Sequence, residues 1–269
     1  MFLSVDIDKA AETVAEELRR IDKWKQFILR NDTFYYRFLS GLIQLFEKQQ
    51  AEIIAQLDAF QRSISPERLA QKIRSIPDEV TLDKARWELI FEEFGQLLLP
   101  EVIQDRGQKE LMQLYLGVSF DVKNPRVLQF LEEDIRVFKK ANDTTMDAIK
   151  KALVKGVSEG EGIPKLKMRI SEVFEGCKGY RAERIARTQV IGASNFGAFE
   201  GYKQSGVVER KEWLATKDDR TRPDHAAIDG QIVGLDETFS NGLRFPGDPR
   251  GSAEDVINCR CTVLPWVKR

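Results

Sequence analysis

The chain has 269 residues, more than one hydrophobic core usually serves, so we expect two domains. Hydrophobic residues make up 42% and charged residues 32%, which excludes collagen-like, wholly disordered and disulfide-scaffold classes. The formal net charge of −1 gives no overall attraction to nucleic acid, and three cysteines fit a reducing compartment.

The first part of the sequence has the pattern of long helices. Residues 6–64 contain no proline and one glycine, and their apolar residues recur at helical spacing. Prolines at 66 and 77 interrupt this pattern, because a residue before proline is pushed out of the α region. Helical spacing resumes over 82–99 and again over 102–116. We therefore predict a helical, partner-binding region over residues 1–117.

Residues 118–269 form the second predicted domain, which is helical over 125–204. One break is predicted near residue 144, where Thr144 and Asp147 resemble a capping box. Over 205–269, prolines and glycines recur at short intervals, which favours a module of short strands and loops. The strand candidates are Val207 to Ala215, Gln231 to Val233, and Thr262 to Leu264. The predicted fold class is α+β, with a mostly helical N-terminal two-thirds followed by a small β-containing C-terminal module.

A polar stripe follows the helix predicted from Tyr180 to Gln204. At about 100° per residue, the side chains of Arg181, Arg184, Thr188 and Asn195 fall within about 60° of arc. Such a face could bind phosphate or the carboxylates of a partner, or it could join an internal salt-bridge network. Small residues from Gly192 to Ala198 would let another backbone approach this helix closely.

A second cluster follows the first predicted strand and consists of Asp218, Asp219, Arg220, Thr221, Asp224 and His225. So many carboxylates suggest metal binding or acid–base chemistry, but local turns use the same residue types. His225 is the only histidine in the chain, so any histidine chemistry must use it. We predict no catalytic residue here. Instead we predict a structural polar network of Arg184, Arg187, Thr188, Asp218, Arg220, Thr221 and His225, with Arg220 buried among charged partners.

Cys259 and Cys261 flank Arg260 at the start of the last predicted strand, where period-two alternation points both sulfurs to one side. With His225 they could hold Zn²⁺, but structural zinc sites normally have four protein ligands. We therefore favour a packed thiol pair and no cofactor, with zinc as the alternative.

These clusters resemble those of the phage head morphogenesis or minor capsid proteins of the Mu protein F-like kind. The resemblance covers roughly residues 125–269, and residues 1–115 resemble no family. The residues that carry it are Arg181-Ala182, Ile185-Ala186-Arg187-Thr188, Trp213, Asp218, Arg220-Thr221, His225, Asp229-Gly230, Phe239, Pro246, Asn258-Cys259-Arg260-Cys261 and Pro265.

The sequence departs from the family's pattern in two ways. Gln189 stands where many relatives carry glutamate, and Arg222 and His225 stand where some carry two cysteines. A four-cysteine zinc site is thus excluded here.

The resemblance implies a minor capsid protein that docks on the portal protein inside the procapsid. The major capsid or scaffolding protein would be a further partner. It also implies a virion interior location after assembly in the host cytoplasm. The sequence agrees with this, since acids near the N-terminus are unlike a secretory signal and no apolar run predicts a membrane contact.

Two other functions stay open. One is a metal-dependent phosphodiester hydrolase that uses Asp218, Asp219 and His225. The other is a nucleic-acid-binding module. Any contact with double-stranded DNA should be nonspecific and should use the basic residues Lys165, Lys167 and Arg169.

Overall fold

The structure is a computed structural model that describes residues 7–266. Helices occupy most of the chain up to residue 205, and short strands appear only after it. The helices are α1 (Ile7–Arg62), α2 (Pro66–Lys72), α3 (Ile76–Glu79), α4 (Lys84–Gln113), α5 (Pro125–Ser158), α6 (Ile163–Gly176), α7 (Ala182–Ser205), α8 (Pro223–Ala227) and α9 (Ala253–Val256). The strands are β1 (Arg210–Leu214), β2 (Ile232–Gly234) and β3 (Thr262–Trp266). The predicted α+β class is confirmed.

The three strands form one antiparallel sheet in the order β2-β1-β3. Glu212 of β1 pairs with Ile232 of β2 on one side and with Leu264 of β3 on the other. The central strand is therefore the one that follows α7, and its end leads directly into the acidic loop. All three strands were predicted from the sequence, with boundaries that differ by a few residues.

Two predicted helix breaks are wrong. The helix predicted to start at Thr145 is continuous with the one before it, because both threonine hydroxyls donate to the carbonyls four residues back rather than capping a new helix. Likewise α4 runs through Pro100, with buried Leu99 and Val102 on either side of the proline. Burial of the apolar face outweighs the one lost backbone hydrogen bond.

The chain divides into two compact units. The first unit comprises residues 1–35, 101–127 and 190–269, and the second comprises 36–100 and 128–189. Both units draw on separated stretches of sequence, and the predicted domain boundary between residues 117 and 118 stays a prediction. No helix in the described range 7–266 is both long enough and apolar enough to cross a membrane.

An aromatic core occupies the second unit. The Phe38 ring lies 4.8 Å from that of Phe94 and 5.4 Å from that of Phe138, which in turn lies 5.2 Å from Phe91. The first two pairs are edge-on and the third is tilted, and aromatic pairs at such distances stabilise a helical bundle beyond the area they bury. The aromatic residues of this region therefore serve packing.

Small residues shape the first unit. A Cβ atom on Gly197 of α7 would lie 2.6 Å from the carbonyl oxygen of Ile103 in α4. One on Gly192 would lie 2.9 Å from the carbonyl oxygen of Gly247. The predicted close approach of another backbone to this part of α7 is confirmed. Because α7 is packed tightly from both α4 and the loop at residue 247, it is a rigid support for the module after it.

Candidate functional site

Asn195 of α7 ties the helix to the C-terminal module. Its side chain is fully buried, and its amide donates to the carbonyl oxygens of Pro246 and Cys261, each at 2.9 Å. Its carbonyl oxygen accepts from the hydroxyl of Thr262 at 2.8 Å. All of these groups are satisfied within the unit, so Asn195 positions the start of β3 rather than binding a partner.

Asp218 is the centre of the loop after β1. Its carboxylate accepts from the backbone N–H of Arg220 at 3.0 Å and from the hydroxyl of Thr221 at 3.3 Å. It also receives both terminal nitrogens of the Arg260 guanidinium, one of them at 2.8 Å. Although desolvation opposes the effect, these hydrogen bonds together hold the pKa of Asp218 below its usual value. The carboxylate is committed to local structure.

The expectation of a buried guanidinium at Arg220 is wrong, because this side chain is exposed and Arg260 takes the place foreseen for it. Arg260 lies on the opposite side of its strand from the two cysteines, as alternation predicts. Its backbone carbonyl also accepts from the indole N–H of Trp24 at 3.1 Å. The sequence signal for this residue was available in the Cys-Arg-Cys motif.

His225 meets the two cysteines in the interior of the module. It lies on α8, a five-residue helix that begins with Pro223. Its Nδ1 atom is 3.6 Å from the Sγ of Cys259 and 3.6 Å from the Sγ of Cys261, and all three side chains are buried. The ring of Trp213 stands edge-on to the imidazole, with centroids 5.1 Å apart. The three candidate metal ligands are thus brought together.

The two thiols of this cluster differ in acidity. The hydrogen bond between them lowers the pKa of Cys261 to about 5, with a further contribution from His225 and against the effect of burial. The same hydrogen bond and burial raise the pKa of Cys259 well above its usual value. One of the two sulfurs is therefore the favoured thiolate.

The other predicted residues of the polar network lie in the second unit. There the hydroxyl of Thr188 donates to the carbonyl oxygen of Arg184 at 2.8 Å, and the Arg184 guanidinium lies over the ring of Tyr180 at 5.8 Å. Arg187 is half-buried. The structure therefore divides the predicted network, with Asp218, Thr221 and His225 in the first unit and these three residues in the second.

The basic stretch of α6 is largely engaged within the second unit. Lys167 pairs with Asp58, and Arg169 pairs with Glu161, its Nε lying 2.5 Å from a carboxylate oxygen. Lys165 is exposed. Two of the three proposed DNA contacts thus have acidic partners of their own.

Two basic residues with buried or partly buried polar contacts, Lys211 and Arg20, were not predicted from the sequence. Lys211 of β1 is fully buried and its ammonium donates to the carbonyl oxygens of Leu235 and Glu237 at 2.5 and 2.6 Å. Burial lowers the pKa of Lys211 to about 8. The sequence could have indicated this burial, because Lys211 lies two residues before the buried Trp213 and so on the same face of the strand.

Arg20 of α1 pairs with Glu212 at 3.0 Å and with Asp229 at 2.6 Å. No sequence pattern indicated these two ion pairs.

The chain is similar to several known proteins. Residues 147–264 match the family model described as phage Mu protein F like protein. The uncharacterized protein YqbB of Bacillus subtilis (strain 168) is 24% identical over 84% of this chain and 76% of its own length. The minor head protein GP7 of Bacillus phage SPP1 is 24% identical over 73% of this chain and 68% of its own length.

A third relative is named for an enzymatic activity. The NAD(+)–arginine ADP-ribosyltransferase EFV of Enterococcus faecalis (strain ATCC 700802 / V583) is 33% identical over 48% of this chain. This chain spans only 27% of that protein's length. No solved structure matches the chain.

Proposed function

We propose that this chain, whose residues 147–264 match the phage Mu protein F-like family, is a minor head protein that docks on the portal protein inside the procapsid. The observation that carries this proposal is the similarity to the SPP1 minor head protein over 73% of the chain. The family match covers less than half of the 269 residues, so the similarity to that head protein extends into the helical region outside it. Both parts of the chain therefore belong to the proposed head component.

The exposed face of α1 supports docking by a helix. Val14, Leu18 and Leu29 are 58%, 60% and 69% exposed. At about 100° per residue they fall within about 60° of arc, so they share one side of the helix. Apolar side chains that share a face are suited to helix packing, since covering them removes apolar surface from water. We assign this face of α1, which we call the α1 stripe, to the portal contact.

The geometry of the acidic loop argues against the hydrolase alternative. A metal-dependent hydrolase needs carboxylates that are available to the ion. Asp218 is instead held by Arg260, Thr221 and its own loop. His225 directs its Nδ1 atom at the two cysteines. The transferase activity of the Enterococcus relative is not proposed for this chain, because the shared segment is only 27% of that protein.

Contact with packaged DNA is the weaker part of the proposal. The ion pairs of Lys167 and Arg169 would have to be exchanged for contacts with phosphates, so the net gain in attraction would be small. Protein docking is therefore the function we propose, and any DNA contact would be secondary to it.

Co-expression with the portal protein of the same genome tests this function. We expect a stable complex whose mass gives the number of copies per portal ring. The double variant Leu18→Glu, Leu29→Glu should lose the complex, because it places charges on the α1 stripe. Met168→Glu is the matched control, since Met168 is 64% exposed and lies on α6.

A complex that survives the double variant but not other surface changes would move the docking face away from α1. If the wild-type chain forms no complex with the portal protein, portal docking itself is wrong.

A further inference from the structure

The geometry points to a zinc site formed by His225, Cys259 and Cys261, which is independent of the proposed docking function. The three residues come from two separate segments, α8 and the turn before β3. Their ligand atoms all lie within 4.8 Å of one another. Two cysteine sulfurs and an imidazole nitrogen form a donor set that zinc prefers.

The distances have the value that a tetrahedral ion requires. Zinc bonds are about 2.3 Å to sulfur and about 2.0 Å to nitrogen, so two such ligands at the tetrahedral angle lie about 3.6 Å apart. The Nδ1 atom of His225 is 3.6 Å from each of the two sulfurs. Both nitrogen–sulfur distances therefore fit one central zinc ion without movement of the chain.

Hydrogen bonding alone explains this arrangement poorly. A neutral imidazole has one N–H, so Nδ1 can donate to only one of two sulfurs or accept from only one thiol. Both sulfurs nevertheless lie at the same distance from it. An ion between the three atoms satisfies all of them at once.

The other ring nitrogen of His225 has one carboxylate in its neighbourhood. The Nε2 atom of His225 is buried and has no hydrogen-bond partner in the described part of the chain. The nearest carboxylate is Asp224, whose Oδ2 lies 4.0 Å away. When Nδ1 binds a metal, the proton is on Nε2, and a neighbouring carboxylate orients the ring. Asp224 is exposed and can turn to take this role.

Two polar groups lie beside the sulfurs of the cluster. The backbone of Thr216 hydrogen-bonds Cys261, and the positive charge of Arg222 acts on Cys259. Arg222 is itself anchored, because its guanidinium donates to the carbonyl oxygen of Ile257 at 2.5 Å. Both groups are placed where they could interact with sulfurs bound to an ion.

A water molecule would be the fourth ligand. Among residues 7–266 no fourth cysteine, histidine or carboxylate completes this cluster. A small cavity adjoins it, lined by Thr216, Thr221, Arg222 and Asn258 among others. The hydroxyl of Thr216 is buried there without a partner, so it can hold such a water. Three protein ligands and one water form an established zinc geometry.

The preference for a packed thiol pair, drawn from the sequence, rested on ligand number. In the structure, however, both nitrogen–sulfur distances fit a bound zinc ion. The adjoining cavity has room for a water as the fourth ligand. Zinc would tie α8 to the start of β3, two elements that are otherwise short. Bound zinc would therefore stabilise the fold of this module.

Metal analysis of the full chain, purified under reducing conditions without a histidine tag, tests the proposal. We expect about one zinc per chain, lost in Cys261→Ser and in Cys259→Ser. Cys177→Ser is the matched control and should keep the metal, because Cys177 belongs to the second unit and contacts Arg181.

Cobalt titration keeps the test valid even if a cysteine variant fails to fold. Wild-type protein stripped of metal should bind Co²⁺ and show both a thiolate-to-cobalt charge-transfer band and the strong visible bands of a tetrahedral ion. Zinc should displace it. A metal-free chain with no cobalt spectrum and an unchanged melting temperature in chelator would overturn the site in favour of packed thiols. Rapid alkylation of Cys261 by iodoacetamide in zinc-loaded protein would overturn it in favour of a reactive thiol–imidazole pair.

Discussion

The loop at Asp218 and the cluster at His225 lie in the same small module, yet their polar atoms are satisfied in different ways. Asp218 has a guanidinium, a hydroxyl and a backbone N–H around one carboxylate. His225 and the two cysteines face one another, but Nδ1 can form a hydrogen bond with only one of the two sulfurs that lie 3.6 Å from it. A group of chemically active residues thus indicates a ligand only when its members leave one another unsatisfied.

The largest effect is expected from removing zinc. Structural zinc contributes on the order of 10 kcal/mol to folding, so a chelator should unfold the module built on residues 207–266. Hydrogen exchange followed by mass spectrometry should show rapid exchange in β1 and β3 after chelation, with α6 of the second unit still protected. Equal protection of β3 with and without chelator would show that the cluster at His225, like the loop at Asp218, needs no metal ion.

Arg260→Ala tests the satisfied cluster. The side chains of Arg260 and Asp218 are only 14% and 27% exposed, so the loss of one leaves a half-buried carboxylate without its main partner. We expect a loss of about 2 kcal/mol in the free energy of unfolding, below the range for a fully buried pair because some solvent reaches it.

Arg220→Ala is the matched control for this change. Because Arg220 is exposed, its removal should cost less than about 0.5 kcal/mol in urea unfolding. Equal losses of unfolding free energy in the two variants would show that the Arg260 side chain stabilises the loop no more than that of Arg220.

Asp134 extends the same comparison to the second unit. It is buried, its Oδ2 has no hydrogen-bond partner in the described chain, and burial raises its pKa to about 7. A carboxyl whose pKa is higher in the folded state binds more protons there, so its contribution to stability declines as the pH rises from about 4 to 7. Asp134→Asn should abolish this decline and raise stability at pH 8 by about 2 kcal/mol.

The measurement is the melting temperature of both proteins between pH 4 and pH 8. Parallel curves for the wild type and Asp134→Asn would show that the carboxyl has a partner in solution.

The smallest effect concerns DNA. Neutralising Lys165, Lys167 and Arg169 together would remove three ion equivalents from the salt dependence if all three met phosphates. Because Lys167 and Arg169 have acidic partners, we expect a change of about one at most. Fluorescence anisotropy with a labelled duplex over a range of salt concentrations measures this slope. A change near three would restore the basic face of α6 as a DNA surface.

Several features of the fold follow from local sequence. The long proline-free stretch predicted α1 to within two residues at each end, and the turn-rich composition after Gly206 predicted the sheet. The breaks at Thr144 and Pro100 were predicted wrongly because a local signal was weighed without the burial that opposes it. The prediction that Arg220 is the buried arginine failed for a related reason. Spacing along the chain does not show which of two arginine side chains is buried.

By itself the sequence determined the residue types available for chemistry, one histidine and three cysteines among them, and the periodicities that make helices and strands. Only the tertiary structure decided that His225, on a short helix, lies at equal distances from Cys259 and Cys261, more than thirty residues later in the chain. The physical reason is that periodicity specifies which face of an element is buried. The distance between two buried faces depends on close packing such as that of Gly192 and Gly197 of α7, which no single segment encodes.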